Sequence, residues 1–237
     1  MYVPDELTPA RPPTRAVFFD VDFTLIRPGP AFQGTGYRDF CARHGVVVDP
    51  ERFAAAVQAA SSMLDAAGGR YDPQVFLDYT NRIIKGMGGT GSGVDKASKE
   101  IYDEWSACQH FELYEDVPDV LRAIQEAGIK IGLISNTQRC LTSFQAHFDL
   151  EGLFDVTISS AEHGFMKPHP SIFQVALGRA GASSEEAVMV GDSLAHDIEG
   201  ARRLGIRAVL VSRSGPREDC PPDVPVINTL RDLPGLL

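Results

Sequence analysis

Four short stretches of this 237-residue chain gather residue types that bind cations and anions. The first, Asp20-Val21-Asp22-Phe23-Thr24-Leu25, sets two carboxylates at i and i+2. Carboxylates that close repel each other unless a cation sits between them. A hard cation such as Mg²⁺ prefers oxygen ligands and keeps some of its waters. The second stretch, Ser135-Asn136-Thr137, offers a hydroxyl and backbone N–H groups suited to an anion's oxygens. The third is Lys167-Pro168, a lone cation on a proline-stiffened turn. The fourth is Gly191-Asp192-Ser193 followed by Asp197, in which Gly191 allows a tight exit from a strand and Asp192 is a further candidate metal ligand. A nucleophilic acid, a cation site, a lysine and hydrogen-bond donors are the parts that phosphoryl transfer requires. Singly, each stretch has an ordinary reading: a solvated loop, a turn, a surface lysine, an acid at a helix start.

The elements expected around these stretches explain how they could meet. Ala16 to Asp20 is a β-branched and aromatic run ending in an acid, the pattern of a buried strand with a carboxylate at its C-terminal end. From about residue 115 strand and helix alternate. Val117, Val120, Leu121 and Ile124 recur at helical spacing before Gly128, and Ile129–Ile134 reads as a strand. Val156–Ser159, Ala187–Val190 and a last strand Ala208–Val211 follow, with helices over Ile172–Ala180 and Asp197–Leu204 between them. Repeated βα units predict an α/β fold, a Rossmann-like three-layer α/β/α core on a parallel sheet. Residues at the carboxyl ends of such strands converge, although they are distant in sequence.

Residues 30–112 break the rhythm. Phe53–Leu64 and Val75–Ile84 look helical and no strand stands out, so a small all-helical domain over 30–112 is expected to interrupt a core of 1–29 and 113–237. Gly86 to Gly93 formally contains G-x-G-x-x-G, but no strand precedes it, and its composition suggests a flexible linker. Residues 1–14, with Pro4, Pro9, Pro12 and Pro13, read as an extended lead-in.

A net charge of −10 argues against a nucleic-acid groove, and the apolar runs are too short to cross a bilayer. No apolar leader is seen, and the four scattered cysteines form no C-x-x-C pair. A cytoplasmic protein with reduced thiols, monomeric or homodimeric, is the expectation. The histidines show no zinc-ligand spacing, and His196 is taken as a surface residue.

In their order and positions, the four stretches resemble the signature of the haloacid dehalogenase (HAD) superfamily: D-x-D-x-T, then S/T, then K, then G-D-x-x-x-x-D. They span residues 20–197. The resemblance implies a phosphatase in which Asp20 attacks phosphorus and Asp22 exchanges protons with leaving group and water. It implies Mg²⁺ on Asp20, the backbone carbonyl of Asp22, and Asp192. Ser135, Asn136 (through its backbone N–H) and Lys167 would bind the phosphoryl group, and Asp197 would orient Lys167 or a metal-bound water. It also implies a helical cap between the first two motifs that selects a small-molecule phosphate ester. Two positions depart from the usual pattern: Phe23 stands where glycine is frequent, and His169 where an acidic or small residue is common. Alternatives within the superfamily are a phosphomutase and a 2-haloacid dehalogenase-type hydrolase, the latter disfavoured because such relatives lack the second acid that Asp22 provides. A catalytically silent phosphate-binding regulator is a further alternative, and it would be expected to have lost one of the motif residues.

Overall fold

The computed structural model describes residues 12–65 and 69–237, so most of the proline-rich lead-in lies outside the described residues. Strand β1 (Ala16–Phe19) is wholly buried, and Asp20 follows it directly. The chain then makes a short strand β2 (Ile26–Pro28) and enters four helices: α1 (Gly34–Arg43), α2 (Phe53–Asp65), α3 (Pro73–Gly86) and α4 (Val94–Trp105). It leaves them through β3 (Phe111–Leu113), which pairs antiparallel with β2. This two-stranded ribbon is a neck that the sequence did not announce: at three residues each, its strands are too short to show alternation. The expected helix over Phe53–Leu64 is α2, and that over Val75–Ile84 is the centre of α3. Helix α3 starts two residues ahead of that pattern, because the Asp72 carboxylate caps Gln74 N and Pro73 occupies the first helical position.

The remaining elements are α5 (Val117–Glu126), β4 (Lys130–Ser135), α6 (Leu141–His147), β5 (Val156–Ser159), α7 (Ser160–His163), α8 (Pro170–Ala180), β6 (Ala187–Gly191), α9 (Glu199–Arg202), β7 (Arg207–Val211) and β8 (Val226–Ile227). The six-stranded sheet has the order β5-β4-β1-β6-β7-β8, with every pairing parallel. The fold is the expected Rossmann-like α/β arrangement. Residues 208–211 do not form the last strand, however. β8 adds two residues to the edge, a pairing set by tertiary contact with Leu210 and Val211 and too short to read as a pattern.

Alternate residues of β1 serve opposite faces. Val17 and Phe19 pack in one apolar cluster with Val117 and Leu121 of α5, Phe144 of α6 and Leu230. Ala16 and Phe18 pack in a second cluster with Ile172 and Phe173 of α8 and Ala201 of α9. Helices therefore cover both faces, which is why the strands read as continuous apolar runs. The first cluster runs on into the helical insertion through Phe32, Tyr37, Phe40 and Ile84.

Candidate active site

The sheet order brings the sequence motifs together. Strand β1 lies between β4 and β6, with Phe19 registered against Leu133 on one side and Val190 on the other. Asp20, Ser135 and the Gly191-Asp192 pair therefore sit side by side at the carboxyl ends of adjacent strands. Lys167 arrives from the segment between α7 and α8, where its bond to Pro168 is cis.

Lys167 is buried, with its Nζ 2.6 Å from Asp20 Oδ1 and 2.6 Å from Asp197 Oδ1. Burial alone would discharge this ammonium, but the two carboxylates outweigh it and raise its pKa. Asp20 is pushed up chiefly by burial, with Asp197 adding to the rise and Lys167 opposing it. Asp192 is raised well above the usual carboxylate range by burial, then by Asp20 and Asp197. One carboxylate oxygen from each of Asp20, Asp192 and Asp197 lies within 4.8 Å of the others. Two buried acids and a half-buried one facing a single lysine leave an excess of negative charge, and an all-oxygen donor set suits a hard cation such as Mg²⁺. The acids present therefore fit the metal.

Asp197 is held differently from Asp192. It sits in a single wide helical turn over Leu194–Ile198, where its Oδ2 accepts from Ser193 N at 3.0 Å while Oδ1 faces Lys167. Gly191 is required less for turning the chain than for this carboxylate: a Cβ there would lie 2.2 Å from Asp197 Oδ2. Asn136 also does more than offer its backbone. Its side chain donates to Lys167 O at 2.9 Å and accepts from Lys167 N at 2.7 Å, clipping the β4 loop to the lysine's own backbone. The Ser135 hydroxyl is buried and has no hydrogen-bond partner among the described residues.

Asp22 points elsewhere. Its Oδ1 accepts from Arg139 Nη1 at 3.0 Å, and the Arg139 side chain is fully buried. Burial raises the pKa of Asp22, and Arg139 is the main influence holding it down. The same guanidinium donates to Trp105 O at 2.8 Å and lies 4.5 Å from the centre of the Phe111 ring. Gln138 donates to Tyr102 O at 3.0 Å. The loop after β4 thus holds the C-terminal carbonyls of α4, a favourable place for a cation. Sequence reasoning missed Arg139, because an arginine in a polar loop gives no sign of being buried; the cue available was an acid across the motif without a cation of its own. Phe23 adopts φ +64°, the left-handed region that accounts for glycine being frequent there, and its 43 % exposed ring lies 6.4 Å from Trp105.

A second cation secures the first loop from below. Arg213 donates to Thr24 O at 2.8 Å and to Asp116 Oδ2 at 2.6 Å, and Asp116 also accepts from Thr229 Oγ1 and Leu230 N. Burial would raise the pKa of Asp116, but these donors outweigh it and the net shift is downward.

A cavity of about 300 Å³ opens over the strand ends. Asp20, Asp22, Ser135, Asn136, Lys167, Asp192 and Asp197 all line it, so the acids, lysine, serine and asparagine singled out in the sequence reach one space. His196 lines it too, which corrects the reading of that residue as surface: the wide turn carrying Asp197 rotates it inward. His169 does not line the cavity; it caps α8 by accepting from Ser171 N and stacks 4.2 Å from Phe165. The glycine stretch 86–93 joins α3 to α4, exposed at Gly88 and over 90–92 but packed at Gly89 and Gly93. A Cβ at Gly93 would lie 2.2 Å from His44 O, so close approach to the end of α1 explains that glycine.

With this geometry in view, comparison with known proteins is decisive. Residues 14–205 match the haloacid dehalogenase-like hydrolase family. The chain belongs to that family. A ribulose-1,5-bisphosphate 5-phosphatase from Halopiger xanaduensis is 31% identical, the match covering 84% of this chain and 85% of the relative. Haloacid dehalogenase-like hydrolase domain-containing protein 3 from Danio rerio is 28% identical over 96% of this chain and 98% of its own. A HAD phosphatase from Thermococcus onnurineus superposes with a TM-score of 0.64 at 27% identity, covering 94% of this chain and 97% of that one. The chain is thus a HAD-family hydrolase with phosphatase-named relatives. Among the described residues no helix is long and apolar enough to cross a membrane.

Proposed function

We propose that this HAD hydrolase cleaves a small-molecule phosphate monoester through an aspartyl-phosphate on Asp20. The observation that carries the reading is the convergence of Asp20, Asp22, Ser135, Lys167 and Asp192 on one cavity. Asp20 has one oxygen held by Lys167, which leaves the other for in-line attack on phosphorus. As that P–O bond forms, the bond to the leaving oxygen breaks, and Asp22 supplies the proton the alcohol takes away. Asp22, then ionised, takes a proton from water as the water oxygen attacks phosphorus and frees Asp20 and inorganic phosphate. The Ser135 hydroxyl, the Asn136 backbone N–H and the Lys167 ammonium would meet the phosphoryl oxygens in this reading. Asp197 keeps Lys167 charged and aimed. Asp20, Asp192 and the Asp22 carbonyl would hold Mg²⁺, which when bound neutralises phosphoryl charge and lets the acids stay ionised. The presence of Asp22, a second acid able to exchange a proton with an alcohol, favours this reading over the dehalogenase one, whose chemistry needs no such group.

Residues 30–112 act in this reading as a cap over a core of 1–29 and 113–237, carried on the β2–β3 neck. The test is hydrolysis of p-nitrophenyl phosphate and of a panel of natural phosphate esters, with Mg²⁺, with EDTA and with Asp20→Asn. Metal-dependent release that is lost in the variant is the expected result. Absence of release across the whole panel would overturn the proposal.

A further inference from the structure

The side of the cavity away from the motifs has a uniform chemistry. The helical insertion contributes Tyr37, Ser61, Leu64, Tyr71, Phe76, Tyr79, Thr80, Ile101, Tyr102 and Trp105, and among these described residues none carries a charge. Every ionisable acid or base that lines the space, Asp20, Asp22, Lys167, Asp192, His196 and Asp197, comes from the strand-end side. Lys167 is already shared between two carboxylates.

The rings are arranged as a wall. Phe76 lies 6.2 Å from Tyr102 with planes inclined 27°, and 6.0 Å from Tyr71. The hydroxyls of Tyr71 and Tyr102 bond each other at 2.7 Å, which locks two of the rings and turns their polar ends together. The Thr80 hydroxyl donates back to Phe76 O at 2.9 Å. Phe23 lines the same cavity from the strand-end side and leaves 43 % of its surface open beside Trp105. Apolar rings contributed by both parts of the lining, with much of its polar capacity spent internally, match a flat apolar group. A cavity of roughly 150 Å³ takes a benzene ring, and the 300 Å³ here leaves room for a phosphoryl group as well.

We infer that the leaving group this site selects is a ring-bearing, uncharged alcohol, held by the Tyr71–Phe76–Tyr102 wall and Phe23. The inference rests on the phosphatase reading and names its substrate class. It sets this chain apart from its bisphosphate-named relative: a second phosphate or a carboxylate on the leaving group would enter the ring-lined space without a cation, and an unpaired buried charge costs several kcal/mol.

The test uses three primary-alcohol esters of the same reacting centre: benzyl phosphate, propyl phosphate and 4-carboxybenzyl phosphate. The expected kcat/KM for benzyl exceeds that for propyl by at least about tenfold, and the added carboxylate removes at least about tenfold. Phe76→Leu and Phe76→Ala lower the benzyl-to-propyl ratio by more than about fivefold, a ratio that does not depend on how much of each variant folds. Binding of benzylphosphonate and propylphosphonate to Asp20→Asn by calorimetry gives the same ranking without turnover. Equal ratios in both assays, or preference for the carboxylated ester, overturn the inference and leave the phosphatase reading standing. Ring preference in binding with no release from any ester overturns the phosphatase reading and keeps the ring site.

Discussion

The strand-end site and the wall that faces it are built from opposite materials. Below, four acids and one lysine line one space, with Asp20 and Asp197 held by Lys167 and Asp22 by Arg139. Above, the helical insertion offers rings and hydroxyls without a charge. The difference separates two tasks. Charge pressed into a dry setting supplies force on a developing phosphoryl charge, whereas apolar rings discriminate only by shape and by the penalty on misplaced charge. Changes below should therefore affect every ester alike, and changes above should alter the ranking among esters.

The largest effect is expected at Asp20. Asp20→Asn should lower Mg²⁺-dependent phosphate release by at least about a thousandfold on every ester tested, because it removes the nucleophile; a loss confined to some esters would break the division of tasks. Next is Lys167→Met, which leaves Asp20 and Asp197 buried without their cation. Breaking a buried pair this way costs about 3–5 kcal/mol, read as a lower urea midpoint in metal-free buffer. Arg139→Met comes third. It frees Asp22 from the cation that opposes its burial, so the Asp22 pKa rises further and a smaller fraction is ionised at a given pH. The alkaline limb of the kcat/KM profile, set by loss of the Asp22 proton, should move to higher pH, with an unchanged profile counting against Asp22 as the proton carrier. Smallest is Tyr102→Phe, which removes the bond to Tyr71 and should cost about 1 kcal/mol of stability while narrowing the benzyl preference.

The pH dependence of stability sharpens the same contrast within the lower region. Asp20 is pushed up to about 6, above its unfolded value of 3.8, so in metal-free protein it costs stability at neutral pH, and that cost is relieved as pH falls through 6. Mg²⁺ should therefore raise the melting temperature at pH 7.5 and lose that effect by about pH 5, where protons displace it. Asp116 runs the other way. Its pKa is depressed, so its contribution is fully present above the unfolded value of 3.8 and is lost as pH falls below it; Asp116→Asn should flatten that acid limb.

The sequence showed the lower region far better than the upper one. Strands buried on both faces print their apolar runs directly, and an acid or serine at each run's end is placed by the sheet alone, so Asp20, Ser135 and Asp192 were legible without coordinates. Arg139, His196 and the clip made by the Asn136 side chain were not, because each depends on how a loop rotates after its strand ends. The aromatic lining from the helical insertion was not legible either: helical periodicity says which residues leave the solvent, not whether they meet a core or a cavity. Strands of two or three residues such as β3 and β8 exist only through their partners, and no local pattern could reveal them.

The clamp beneath the first loop has a consequence for how the protein is made. Thr24 is held by Arg213, and Arg213 shares Asp116 with Thr229 and Leu230. Of these contacts, the one on Thr24 joins residues 189 positions apart. A ribosome that has released β1 and the entire helical insertion has therefore still not delivered the residues that brace the loop after Asp20. Since domains form as units behind the moving ribosome, hydrolysis should switch on only when residue 230 has cleared the exit tunnel. A nascent chain arrested at 205 would already span the matched family segment, 14–205, and remain inert.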